Sequence, residues 1–263
     1  MKSYKVFIIL SLFFILGIFT ANYIVYSVFA NVVSKSDAKM LIPDFNPYDF
    51  NYVWQTISYT SGFILIMPAM LLIILVTNEF AYRTNRQNII NGWSRKDFIH
   101  VKLMLALVFA LVSTLIVIVA GFIFGWASGT SVAFNGFTHV LYFFLKTLSY
   151  NLLAVLMSVL IKRTGFAIGV YFVYMGAENI ISQMLDVFSL KLKKETSFDP
   201  GSMGDYLPMN AADGLLSFPN NSIKKLAASS LPTNYTSLVI GFALAYLLLY
   251  VWMSRRTVIK KDL

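Results

Sequence analysis

The sequence predicts an all-α integral membrane protein, a single transmembrane domain over residues 1–263 with six spanning helices and both termini cytoplasmic. Three observations lead there. Hydrophobic residues make up 58% of the 263 positions and charged residues only 13%, with mean hydropathy +0.70, whereas soluble domains average about 45–50% apolar and about 25% charged. Six runs reach the roughly 20 mostly apolar residues that a bilayer crossing needs. Lys and Arg, finally, are distributed unevenly over the segments that join those runs.

The first run, residues 6–26, has no charge. Lys2 and Lys5 ahead of it and Val28-Phe29-Ala30 after it imitate a secretory signal, but a signal h-region spans only about 7–15 residues. A retained signal-anchor helix is expected. The second run, 54–76, and the third, 103–126, are also uncharged. Pro68 lies inside the second and predicts a kink, which membrane helices tolerate. The fourth, 140–161, carries only Lys146, and the fifth, 166–185, only Glu178. The sixth, 235–253, is uncharged and follows the one long connection, 186–234. Gly121 with Gly125 and Gly165 with Gly169 form GxxxG pairs that fit either packing within one subunit or a dimer seam.

Orientation follows from charge, because cytoplasmic segments retain Lys and Arg. With the N-terminus inside, segments 1–5, 77–102, 162–165 and 254–263 carry 13 basic residues, and the longer external segments 27–53, 127–139 and 186–234 carry 7. The net charge of +9 therefore reads as this asymmetry plus contact with membrane lipid, not as nucleic-acid binding. Within the external segment, Leu207, Ala211, Leu215 and Phe218 recur at helical spacing, with Asn210 able to cap and Asp213 able to complement the positive helix end. The expectation is a short amphipathic helix resting on the outer membrane surface, with a substrate gate or partner surface as the sharper reading. Asn220-Asn221-Ser222 and Asn234-Tyr235-Thr236 match glycosylation sequons, meaningful only in a eukaryotic secretory setting.

The residue inventory bears on chemistry. Without cysteine there is no disulfide, thiolate metal site or Cys nucleophile. The spans contain no Asp for an intramembrane aspartyl pair, and His100 and His139 fall outside them. No His-Glu-x-x-His helix or G-x-S-x-G elbow occurs. We therefore expect no catalytic residues, no metal ligands and no cofactor in the chain. Lys146 and Glu178 each carry an insertion penalty of at least about 2.5–3.5 kcal/mol at a helix centre. Counted from the cytoplasmic turn at 1.5 Å per residue, they lie at depths of about 24 and 20 Å. Matched depth on neighbouring antiparallel helices predicts an ion pair, with a proton relay or substrate contact as the sharper reading and Asn151 and Asn179 as possible extensions.

The cytoplasmic loop 77–102 is the most informative stretch. It interleaves Phe80, Ile89, Ile90, Trp93 and Phe98 with Arg83, Arg86, Arg95 and Lys96. Asn85 can cap a short helix there and Gly92 can stop it. Composition alone allows a solvated positive-inside loop or a docking element for a cytoplasmic protein. The run Glu79, Thr84, Arg86, Gly92, Ser94, Arg95 and Lys102 resembles the E-x4-T-x-R, G-x-S-R, K pattern of permeases of the type 2 ABC transporter superfamily, and the six-span plan with its Leu207-Pro208 step is similar across the whole chain.

That resemblance implies that the loop, including Arg83 and Trp93, is a coupling helix against a separate ATPase. ATP and magnesium would be held by that partner, since this chain has no phosphate-binding loop. It also implies a second permease copy or a related permease, and an exporter in a bacterial cell membrane. Only residues 1–5 precede the first span, too few for the longer amphipathic N-terminal helix of many relatives. Two other readings stand beside it: a non-transporting immunity or assembly subunit, and a secondary transporter using Lys146 and Glu178.

Overall fold

A computed structural model describes residues 2–34, 45–196, 198–219, 233 and 235–260. Both sequons, at 220–222 and 234–236, lie wholly or partly outside them. The described chain is all-helical, without strands. Among the described residues nine α-helices follow one another: α1 (Lys2–Ser34), α2 (Val53–Ser61), α3 (Ile66–Ala81), α4 (Thr84–Ile90), α5 (Arg95–Ala127), α6 (Thr138–Ile161), α7 (Thr164–Thr196), α8 (Asn210–Asp213) and α9 (Thr236–Lys260).

Four stretches, Lys5–Asn31, Arg95–Ala127, Thr138–Ile161 and Thr236–Lys260, are long and apolar enough to cross a membrane. A fifth is reached when α2 and α3 count as one bent span. The first arm, Val53–Ile64, ends in a 3-10 turn over Gly62–Ile64, and the second, Ile66–Ala81, departs from it by 44°. The bend lies ahead of Pro68, which sits in the first turn of α3, where a missing N–H is harmless. The expected fifth run lies in α7, which spans 33 residues but is not among the stretches apolar enough to cross. Polar residues occur on both of its faces: Glu178, Ser182 and Ser189 fall on a buried stripe with Tyr171, while Asn179 and Gln183 are exposed beside the outward Val173, Ile180, Met184 and Val187.

Helix α6 is the hub, packing against α2, α3, α5, α7, α8 and α9. Its residues Leu152 to Leu156 are buried all round, as expected of a helix that is apolar on every side. It ends at Lys162, in the left-handed region at φ 58°, and α7 begins two residues later, so the two helices form a tight antiparallel pair. One GxxxG pair is explained directly. A Cβ on Gly121 would stand 2.6 Å from the Trp54 ring, and one on Gly125 2.6 Å from the Phe50 ring; both glycines on α5 receive aromatics from the same chain. Gly165 and Gly169 have open space around them. Asn22, buried in α1, donates to Ser61 Oγ at 3.3 Å and accepts from Thr60 Oγ1 at 2.5 Å, fastening α1 to α2.

Candidate functional site

Two polar constructions sit at opposite ends of the bundle. The first joins the 198–219 segment to the long helices. Lys146 on α6 does not pair with Glu178. Its Nζ lies 3.3 Å from Asp213 Oδ1 and 5.6 Å from the Tyr150 ring centroid, and Tyr150 donates to Asp213 Oδ2 at 2.9 Å. Glu178 on α7 instead accepts backbone N–H bonds from Met209 at 2.5 Å and Asn210 at 2.9 Å. The expected direct pair between neighbouring helices is therefore replaced by two contacts to a third element. A fold-back segment supplies the partners of both residues.

That segment is not a surface helix. Only Asn210–Asp213 is α-helical, Met209 rather than Asn210 occupies the cap position, and Ala211, Ala212, Leu215 and Leu216 are buried. Of the apolar residues counted as a membrane-facing stripe, Ala211 and Leu215 pack with Val239 and Ala243 of α9, and Phe218 packs against Phe29 of α1 and Tyr59 of α2. Further bonds stitch it down: Gly204 N–H to Asp186 Oδ1 at 2.9 Å, Met203 N–H to Ser189 Oγ at 3.2 Å, Gln55 Nε2 to Ser217 O at 3.0 Å and Tyr246 OH to Tyr206 O at 2.9 Å. Asn151 and Asn179 do not extend this cluster. Asn151 donates to Ala106 O on α5 at 3.2 Å, and Asn179 accepts from Gln183 at 2.6 Å on the exposed face of α7.

Asp205 rests against Gly214, where an added Cβ would meet its carboxyl carbon at 2.5 Å. Burial, then the nearby Asp186 and Asp213 charges, push its pKa up to about 6. Asp199, nearer the segment's start, is held far below the usual carboxylate range by hydrogen bonds from Lys193, Thr233 and the Gly201 N–H. No group of three or more acidic or histidine side chains among the described residues could hold a metal ion.

The second construction is the loop between α3 and α5. Glu79 and Lys102, the outermost residues of the motif quoted above, form an ion pair, with Lys102 buried. Phe80 and Phe98 pack edge to face behind it at 5.9 Å. Thr84 Oγ1 donates to Glu79 O at 3.3 Å. Arg83 takes the cap position of α4 in the left-handed region, φ 56°. Asn85 lies inside α4 and is buried, so it is not the cap. Gly92, at φ 98°, stops α4 as expected: its N–H bonds Ile89 O at 3.0 Å and the Trp93 N–H bonds Asn88 O at 3.0 Å, a Schellman stop. Ser94 then starts α5 through a capping box with Asp97. Those hydrogen bonds from Ser94 pull the Asp97 pKa down.

Gly92 and Ser94 are thus a helix stop followed by a helix start, and Glu79 with Lys102 clamps the base. Of the expected anchors, Phe98 is core and Phe80 packs against it. Ile90, 83% exposed, and Trp93, 46% exposed, face outward together with Tyr82 and Arg83. Arg95 turns toward α9, its guanidinium 3.5 Å from Ile259 O. The Arg86 side chain lies outside the described residues.

No family model and no curated protein matches the chain. Two residues lie beyond those the sequence singles out for these roles: Asp213, which pairs with Lys146, and Asn22, buried in α1. Asn22 carried a signal, a lone amide inside an apolar run, which in a membrane helix needs a partner. Asp213 carried none, because its pairing depends on how the segment folds back.

Proposed function

We propose that the chain is the membrane-spanning permease subunit of an ABC exporter in a bacterial cell membrane, working as two copies or with a related permease. Six spans place both termini in the cytoplasm, with α7 as the span that hides Glu178, Ser182 and Ser189 against neighbours. The observation that carries the proposal is the α3–α5 loop: a short helix fixed at both ends, clamped at its base by Glu79 and Lys102, presenting Ile90 and Trp93 to solvent. A merely solvated connection has no need of a Schellman stop, a capping box and a partly buried ion pair at its base. Aromatic and Arg groups exposed on a preorganised element match the anchors that dominate protein interfaces.

In this reading a separate ATPase binds ATP and magnesium and pushes on the loop. Force enters α3 and α5 through Glu79–Lys102, reaches α7 through Thr77 and Thr164, whose hydroxyls are 2.8 Å apart, and reaches α9 through Arg95 and Ile259. Rocking these helices as bodies opens the path alternately to either side. The engagement of Lys146 and Glu178 by the 198–219 segment gives them a structural task, which weakens the case for a secondary transporter built on them. The test is reconstitution of the full chain in liposomes with an ATPase encoded beside it. ATP hydrolysis should rise severalfold over the ATPase alone, and hydrolysis unaffected by the permease would refute the proposal.

A further inference from the structure

The C-terminal half of α9 carries a groove on its outward face. It has a volume of about 310 Å³ and is lined by Leu248, Val251, Trp252, Arg255, Arg256 and Ile259. Its two cations differ from the four lysines that hold carboxylates in the fold. Lys102, Lys146, Lys191 and Lys193 all pair with carboxylates, whereas neither Arg255 nor Arg256 forms an ion pair among the described residues. The Arg256 guanidinium lies 5.0 Å over the Trp252 ring. Stacking of this kind holds the planar fork in one orientation, the geometry that recognises phosphate oxygens two at a time.

Above the cations the wall turns apolar. Leu248 lies two helical turns from Arg255 and Arg256, about 12 Å at 1.5 Å per residue, and is fully outward at 72% exposure. The opposite face of the same helix, through Leu247, Tyr250, Ser254 and Val258, is buried. The groove therefore asks for an anionic head at one end and an apolar tail along the other. Tryptophan at the junction is what an interfacial belt favours.

We propose that this groove binds an acidic phospholipid, its phosphate held by Arg255 and Arg256 and an acyl chain lying along Val251 and Leu248. An acidic protein segment would satisfy the guanidiniums but leave the apolar wall uncovered, and that wall belongs to a helix apolar enough to cross a membrane. The inference rests on α9 being a span and not on the ABC assignment, so it stands whether or not an ATPase associates.

The experiment is native mass spectrometry of the detergent-solubilised full chain titrated with phosphatidylglycerol or with phosphatidylcholine of identical acyl chains. Phosphatidylglycerol should be retained on the order of tenfold more, given the attraction of each basic residue to an acidic leaflet. The double variant Arg255→Gln/Arg256→Gln should lose that preference, and Arg255→Lys/Arg256→Lys should keep part of it. Wild-type fluorescence gives a second readout that needs no arginine variant: brominated phosphatidylglycerol should quench more than brominated phosphatidylcholine, and Trp252→Phe should remove the difference. Equal retention of the two lipids, an undiminished preference in the Gln variant, or displacement of the lipid by millimolar inorganic phosphate would overturn the proposal.

Discussion

At one end of the bundle the 198–219 segment turns its polar groups inward, so that Asp213 meets Lys146 and the Met209 and Asn210 N–H groups meet Glu178. At the other end, the loop between α3 and α5 closes its helix ends locally, through the Gly92 stop and the Ser94–Asp97 box, and turns Ile90 and Trp93 outward. Both are connections between long helices, yet one is a lid fastened into the bundle and the other a handle projecting from it. Where charge is buried, the partners are distant in sequence and removal should disrupt the fold. Where backbone caps do the work, partners are a few residues apart and the surface is left free for another molecule.

The lid should be the more fragile. Asp213→Ala strands the Lys146 ammonium, and breaking a buried pair typically costs about 3–5 kcal/mol. Thermal unfolding should drop steeply, and Lys146→Met added to Asp213→Leu should recover part of the loss. Equal stability of the single variant would show that the lid is not fastened there.

A second contrast concerns the two GxxxG pairs. Gly121→Ala pushes into Trp54 and should cost about 1–3 kcal/mol by overpacking. Gly169→Ala meets nothing and should stabilise the helix by up to about 1 kcal/mol. A loss at Gly169 in the assembled protein would indicate that another subunit covers it.

The lid should also respond to acid. Asp205 keeps its proton up to about pH 6 in the folded chain, whereas an unfolded Asp releases it near pH 3.9. Folding therefore favours the protonated form: the penalty for its charge is absent below about pH 4 and complete above about pH 6. Acidification across that window should raise the stability, by about 1–2 kcal/mol after allowance for solvent screening, and Asp205→Asn should flatten the profile. Asp199 acts with opposite sign, but its contribution is complete above the unfolded pKa and fades only at lower pH. A stability that falls between pH 6 and pH 4 in the wild type would contradict the burial of Asp205.

On the handle the effect on folding should be smallest. Trp93→Ala should change stability within about 0.5 kcal/mol, as for other exposed positions, while weakening association with an ATPase more than tenfold. Paired measurements of melting and pull-down separate the two ends of the comparison.

What could be read from the sequence follows from the range of the interactions. Long apolar helices follow from local apolarity and the stop at Gly92 from a local residue type, whereas residue size left Gly121 and Gly125 open between packing within the chain and a dimer seam. The start of α5 at Arg95 was placed several residues too late, because Lys96, Asp97, His100 and Lys102 suggested loop, although Ser94 and Asp97 spell a capping box. The span at α7 was read from 166–185 alone, whereas the helix runs to Thr196 and keeps Glu178, Ser182 and Ser189 inside. The Lys146 and Glu178 partners were out of reach because Asp213, Met209 and Asn210 arrive through a fold-back that no periodicity announces.

The proposal that the α3–α5 loop receives an ATPase is tested most directly by placing a photo-crosslinking amino acid at position 93 in the full chain in its native membrane, with Phe198, exposed on the lid, as the control position. The account predicts an adduct from position 93 to a cytoplasmic ATPase that carries a phosphate-binding loop, and none from position 198. Absence of that adduct at 93, with the protein folded and the ATPase expressed, would contradict it.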